Sequence, residues 1–327
     1  MQKLFRNLAI LVISIFVSST LASCSTATET SNEITVVVHD SVIISDALLA
    51  EFESETGTTV KIVRAGDAGA MTNKLVLTKD QPIADAVYGI DNIFAGVAKA
   101  NNVIDGKLTA INYGDVCMNY DRLWFAKNEQ AAPETIKDLV KPEFNGLTVV
   151  QNPNTSSSGL AFLAATVSVF GQTEYKTYWQ QLKENNVKVT AGWEDAYFAD
   201  FSGSSGKGAY PIVLSYSSSP AAEIREDGRS QTEALLDSCY RQTEFAGVLT
   251  KAKNKAGAKK FVQFLLSNSF QSSLPESMYV YPIVPNVALP EAWQQFAPVT
   301  TKPVGGELDL NANRELWLKA WSDIFTG

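Results

Sequence analysis

Leu214-Ser215-Tyr216-Ser217-Ser218-Ser219-Pro220 decides how the rest of the chain is read. Ahead of it, Tyr210 to Tyr216 has the makings of a buried strand, with Ile212, Val213 and Leu214 as its apolar run. Three consecutive hydroxyls and a proline then break the strand. Ala221-Ala222-Glu223-Ile224-Arg225 is expected to be helical, because serine is a good N-cap and proline is tolerated in the first turn. A strand end feeding a helix N-terminus through small donors offers a polar ligand free N–H groups, hydroxyls and one aromatic ring. A plain helix cap has the same composition.

Two junctions of similar make-up lie upstream. Leu147 to Val150 reads as a strand, followed by Gln151-Asn152-Pro153-Asn154-Thr155-Ser156-Ser157-Ser158-Gly159 and a helix from Leu160 to Phe170. Val187 to Thr190 leads to Gly192-Trp193-Glu194-Asp195-Ala196-Tyr197, now with an indole in the loop. Nearer the N-terminus, three strands (34–39, 59–63 and 84–89) alternate with helices, which indicates a parallel sheet covered on both faces. Ligands of such α/β sheets sit at the carboxyl ends of strands. These three strands lead into Asp40, Asp67 and Asp91, each of which is a candidate ligand contact or a helix cap. Asn112 to Asp121 and Tyr240 to Phe245 read as strands that cross between two domains, with hinge motion expected at 115–120 and 240–245. Arg314 to Phe325 is an amphipathic helix expected to dock through Leu316, Trp317, Ala320 and Ile324.

The 327 residues suffice for two domains, and 45% of them are hydrophobic, as in a globular chain. Lys3 and Arg6 precede an apolar run, Leu8 to Val17, too short to span a bilayer comfortably. Leu21-Ala22-Ser23-Cys24 follows and resembles a bacterial lipobox. Residues 1–23 are therefore expected to be a lipoprotein signal peptide, Cys24 the lipidated first residue, and 24–33 a polar tether. Without the signal segment, 25 bases face 35 acids, a net charge of −10. That balance argues against a nucleic-acid partner and favours cationic ligands. Cys117 and Cys239 have two readings in an exported protein, a disulfide or two buried thiols.

Enzyme signatures are weak. His39 is the single histidine, so a Ser-His-Asp triad would have to use it, and there is no G-x-S-x-G elbow. Gly203 to Gly208 reads as a surface turn, and it lacks the spacing of a phosphate-binding loop. One histidine and scattered cysteines do not supply a metal site, so no catalytic residue, cofactor or metal is expected.

The combination T-S-x-x-G-L at Thr155, G-W-x-[ED]-A-Y at Gly192 and L-S-Y-x-x-S-P at Leu214, in this order, resembles the thiamine-binding proteins of bacterial ABC importers. The resemblance runs from about Ile34 to Trp321. It implies a two-lobed α/β solute-binding protein, type II periplasmic-binding-protein-like, with two crossing hinge strands. One lobe would hold 34–114 and 245–327, the other 115–244. By position, the family's ligand contacts fall on Asp67, Ala68, Ser156, Ser157, Trp193, Tyr216, Ser217, Ser218 and Ser219. Tyr279 stands where the family usually has tryptophan, and His39 where it often has tyrosine. The implied ligand is thiamine or a thiamine phosphate. The implied partners are an ABC permease and its ATPase, with a monomer held to the cell membrane by its lipid, facing the periplasm or the outside. The chemistry suits that ligand, since a thiazolium over an aromatic face gains about 0.5–2 kcal/mol. Two rival readings are a two-lobe protein for ferric iron, a polyamine or an oxyanion, and a secreted serine hydrolase.

Overall fold

The computed structural model describes residues 32–205 and 207–326. The signal segment, Cys24 and nearly all of the tether lie outside the described residues. In chain order the first half runs β1 (Glu33–Val38), α1 (Asp46–Thr56), β2 (Thr59–Arg64), α2 (Ala68–Leu77), β3 (Ala86–Asp91), α3 (Ala95–Ala100) and β4 (Thr109–Asp121). It continues α4 (Arg122–Lys127), β5 (Thr148–Gln151), α5 (Ser157–Glu184), β6 (Lys188–Thr190), α6 (Ser202–Ser205), β7 (Ile212–Tyr216), β8 (Thr232–Ala234) and β9 (Tyr240–Val248). α7 (Lys255–Phe264), α8 (Asn268–Met278), β10 (Tyr281–Pro282), α9 (Glu291–Phe296) and α10 (Leu310–Thr326) complete it.

The strands follow the order β2-β1-β3-β9-β4-β7-β5-β6, with β10 and β8 also on β4. β1 pairs parallel with β2 and β3, and β5 pairs parallel with β6 and β7. Strands buried on both faces read as unbroken apolar runs, and Val36, Val37 and Val38 are each fully buried. α1 begins at Ser45, whose side chain accepts from the Leu48 amide, and stops at Gly57 in the left-handed region.

β4 and β9 join the two halves. β4 pairs antiparallel with β9 from Thr109 to Val116, and with β7 from Val116 to Tyr120, so one strand serves both lobes. At the crossing, the buried Asp115 takes a bidentate ion pair from Arg241 (2.6 and 2.9 Å) and a hydrogen bond from the Thr300 amide. Cys117 and Cys239 are disulfide-bonded beside the last rung of this ladder. By loop-closure entropy, a cross-link over 122 residues stabilises by about 4–5 kcal/mol.

Three local expectations do not hold. The segment after Pro220 is no α-helix but a single 3-10 turn, Ser219–Ala222. α10 buries Trp317, Leu318 and Trp321 and leaves Leu316 60% exposed. Nor does α10 stay with the first lobe. Arg314 lies over the Phe94 ring (4.9 Å), while Trp321 and Phe325 edge onto Trp179 of α5, so the helix touches both lobes.

Candidate functional site

A cleft lies where the ends of β1, β2 and β7 meet the start of α5. Its lining includes Asp67, Ala68, Ser157, Trp193, Tyr216 and Tyr279 from the sequence reading. Ser156, Ser217, Ser218 and Ser219 are completely buried and are not among the lining residues.

Asp67 sits at the seam. It is the N-cap of α2, and its Oδ1 accepts from the Ala68 amide (2.6 Å). The same carboxylate reaches the opposite lobe, where the amides of Ser157 (3.2 Å) and Trp193 (3.0 Å) donate to it. Burial pushes its carboxyl above the usual range, against the pull of His39 and these amides. Beside it, the Ala70 amide donates to the Thr155 carbonyl (3.0 Å), a third bond between lobes. Gly69 permits this approach, because a Cβ there would lie 2.7 Å from the Thr155 oxygen.

Trp193 forms the floor. Its indole N–H donates to Ser215 Oγ (3.0 Å), and its ring stacks on Tyr197 at 4.8 Å. Tyr216 and Tyr279 stand 6.2 and 6.1 Å from it, centroid to centroid. Tyr279 reaches this place from the left-handed C-cap of α8 (φ 57). Tyr281 faces elsewhere and packs on Tyr113 and Trp293.

The hydroxyls of the 214–220 stretch hold the loop rather than face the cleft. Ser219 Oγ pairs with Ser215 Oγ (2.7 Å) and accepts from the Tyr216 amide, while Ser218 donates to the Tyr279 carbonyl. The other two strand-end aspartates stand outside this lining, Asp91 completely buried and Asp40 half-buried beside a neighbouring cleft. Asp91 accepts from the Ile93 and Phe94 amides and from Gln242 Nε2 (2.7 Å). Asp40 accepts from the Gly66 amide (3.0 Å) and does not line this cleft.

Sequence reasoning left out His39, Ser41, Ser158, Glu194, Phe198 and Glu244, which also line the cleft. His39 follows the end of β1 and directly precedes Asp40. Its Nε2 meets Glu244 Oε1 at 3.0 Å, and Asn112 donates to Glu244 Oε2 (3.0 Å). Glu244 lies on β9, where the sequence offers only a crossing strand. Among the described residues, no group of three or more His, Cys, Asp or Glu is placed to hold a metal ion.

Two lobes on a shared pair of crossing strands, with an aromatic and acidic cleft between them, define a solute-binding protein. The chain belongs to the bacterial extracellular solute-binding protein family, which it matches over residues 78–301. It is 31% identical to the thiamine-binding periplasmic protein of Escherichia coli K12, over 83% of this chain and 85% of that one. It is 28% identical to the thiamine-binding periplasmic protein of Brucella suis, over 97% and 98% of the two chains. A solved structure described as a periplasmic thiamin binding protein superposes with a TM-score of 0.76 at 28% identity, covering 89% of this chain and 96% of that one.

Proposed function

We propose that this protein captures thiamine, or a phosphate ester of it, outside the cytoplasm and delivers it to an ABC permease driven by a separate ATPase. The observation that carries the reading is the lining of the cleft. Trp193, Tyr216 and Tyr279 surround a space edged by Asp67, Glu194 and Glu244, and no lysine or arginine is among the lining residues. Such a site rewards a flat ligand with a fixed positive charge. The hydroxyls of Ser41, Ser157 and Ser277, which also line it, suit the hydroxyethyl tail or an ester on it. No covalent chemistry is part of this role. The working form is a monomer carried by the lipid on Cys24, its two lobes moving about β4 and β9.

Isothermal titration of the mature protein with thiamine, its phosphates, ferric iron and spermidine tests the reading. Thiamine or one of its esters should bind at submicromolar Kd, which corresponds to more than about 8 kcal/mol, and iron and spermidine should not compete. Tight uptake of an unrelated solute, with no response to any form of thiamine, would overturn it.

A further inference from the structure

The pair His39–Glu244 is built into the cleft wall. Both side chains are buried, and the ring of His39 lies so close to Gly89 that a Cβ there would stand 2.2 Å from Cδ2. The imidazole fits there only because Gly89 carries no side chain. Glu244 is bonded on one oxygen by His39 and on the other by Asn112, whose amide also meets the Tyr88 hydroxyl (2.5 Å).

Among the acids near the cleft, Glu244 is placed differently from the rest. Both Asp67 oxygens are taken by main-chain amides. Asp91 is not among the lining residues, and Glu194 lies exposed at the rim. Glu244 lines the cleft and is held by side chains, one of them ionisable.

Resting on the thiamine reading, we propose that Glu244 is the counter-ion of the ligand's fixed charge and that His39 gives up a proton when that charge enters. In a buried site of low dielectric a second cation beside Glu244 raises the cost of keeping His39 protonated, and the imidazole is the one of the two that can become neutral. The proton leaves Nδ1 for solvent, and the Nε2–H stays on Glu244. Burial pushes the His39 pKa down, but Glu244, aided by Asp67 and Asp91, outweighs it and holds the free imidazole above its usual range. Burial also pushes Glu244 up, and the charge and hydrogen bond of His39 reverse this. The groups facing His39 are thus Glu244 from β9, Asp67 from the start of α2 and Asp91 from β3, all acidic.

The sign follows from linkage. A cation lowers the proton affinity of His39, so thiamine binds better once His39 is neutral, and affinity rises with pH until the free imidazole is fully deprotonated.

Titration calorimetry of thiamine in phosphate and in Tris at pH 7 reads the protons released. The full mature chain should release roughly half to one proton per thiamine, and its affinity should tighten roughly three- to tenfold between about pH 6 and 8. His39→Gln keeps an N–H for Glu244 and should bind thiamine with little proton release and a flat pH profile. An analogue with a neutral thiophene in place of the thiazolium should release no proton from either protein. Glu244→Gln, checked for folding by circular dichroism, should weaken thiamine more than tenfold and the neutral analogue less than threefold. Equal proton release by wild type and His39→Gln would assign the proton to Asp67 or Asp91 and overturn the proposal. Thiamine binding without proton release would also overturn it while leaving the thiamine reading intact. Absence of thiamine binding would remove both.

Discussion

Asp91 is completely buried at the end of β3, and burial pushes its pKa up to about 6 despite the amides of Phe94 and Ile93. An unfolded aspartate titrates near 4. The charged form is therefore less favourable in the folded state. Its contribution is fully present below pH ~4 and is lost as pH rises through about 6, at most about 3 kcal/mol. Asp91→Asn keeps the acceptor for Ile93 and Phe94. Urea unfolding at pH 4.5 and 6.5 should show the wild type losing up to about 2 kcal/mol more stability with rising pH than the variant. Parallel pH profiles would mean Asp91 is not the titrating group. Trp193 carries a different lesson. The sequence marks it as a loop indole, but it is 8% exposed and packs with Tyr197, Phe201 and Val213. Trp193→Ala therefore loses core packing along with any ligand contact, and no single readout of that variant isolates the ligand. Trp193 and Tyr216 were legible through the motifs that carry the family resemblance, and both line the cleft. His39 and Glu244 were not, since only the paired strands bring residues 205 positions apart within 3.0 Å.

At the scale of elements, the start of α2 against the Thr155–Ser157 turn is where the lobes touch. Three features meet there: the Asp67 carboxylate, the Ala70–Thr155 hydrogen bond and the missing side chain of Gly69. Gly69→Ala should raise intrinsic helix stability by roughly 1 kcal/mol. Its methyl would nevertheless press on Thr155 O and on Phe94 Cζ at 2.8 Å. The expected outcome is a protein as stable as wild type that binds its ligand at least tenfold more weakly. It should also keep a larger radius of gyration in saturating ligand, by small-angle scattering. An unchanged affinity and radius would show that closure does not depend on this contact. Other elements show where pattern reading stops. Helical spacing gave α10 its amphipathic character, but the buried stripe is centred on two indoles rather than on Leu316. Serine and proline after Leu214 correctly end the strand, yet the hydroxyls bond to Ser215 and Tyr279, and the chain makes one tight turn before leaving.

For the whole molecule, the alternating strands and the two crossings set the architecture before any coordinate is known. The membrane anchor proposed at Cys24 belongs to this scale too. Cys24→Ala should shift the protein from the membrane to the soluble fraction on cell fractionation, and a variant that stays with membranes would remove the lipid from the proposal. Local chemistry is enough to fix strand and helix order, since β-branched runs, caps and turn residues act over a few positions. The α/β class, the hinge strands and the loops that gather at the cleft were therefore readable from the chain alone. The Cys117–Cys239 bond, the span of Asp67 across the seam, the His39–Glu244 pair and the placement of α10 over both lobes were settled only by the fold. Each depends on distances between residues remote in sequence, and those distances follow from sheet register and lobe packing, which no local pattern encodes.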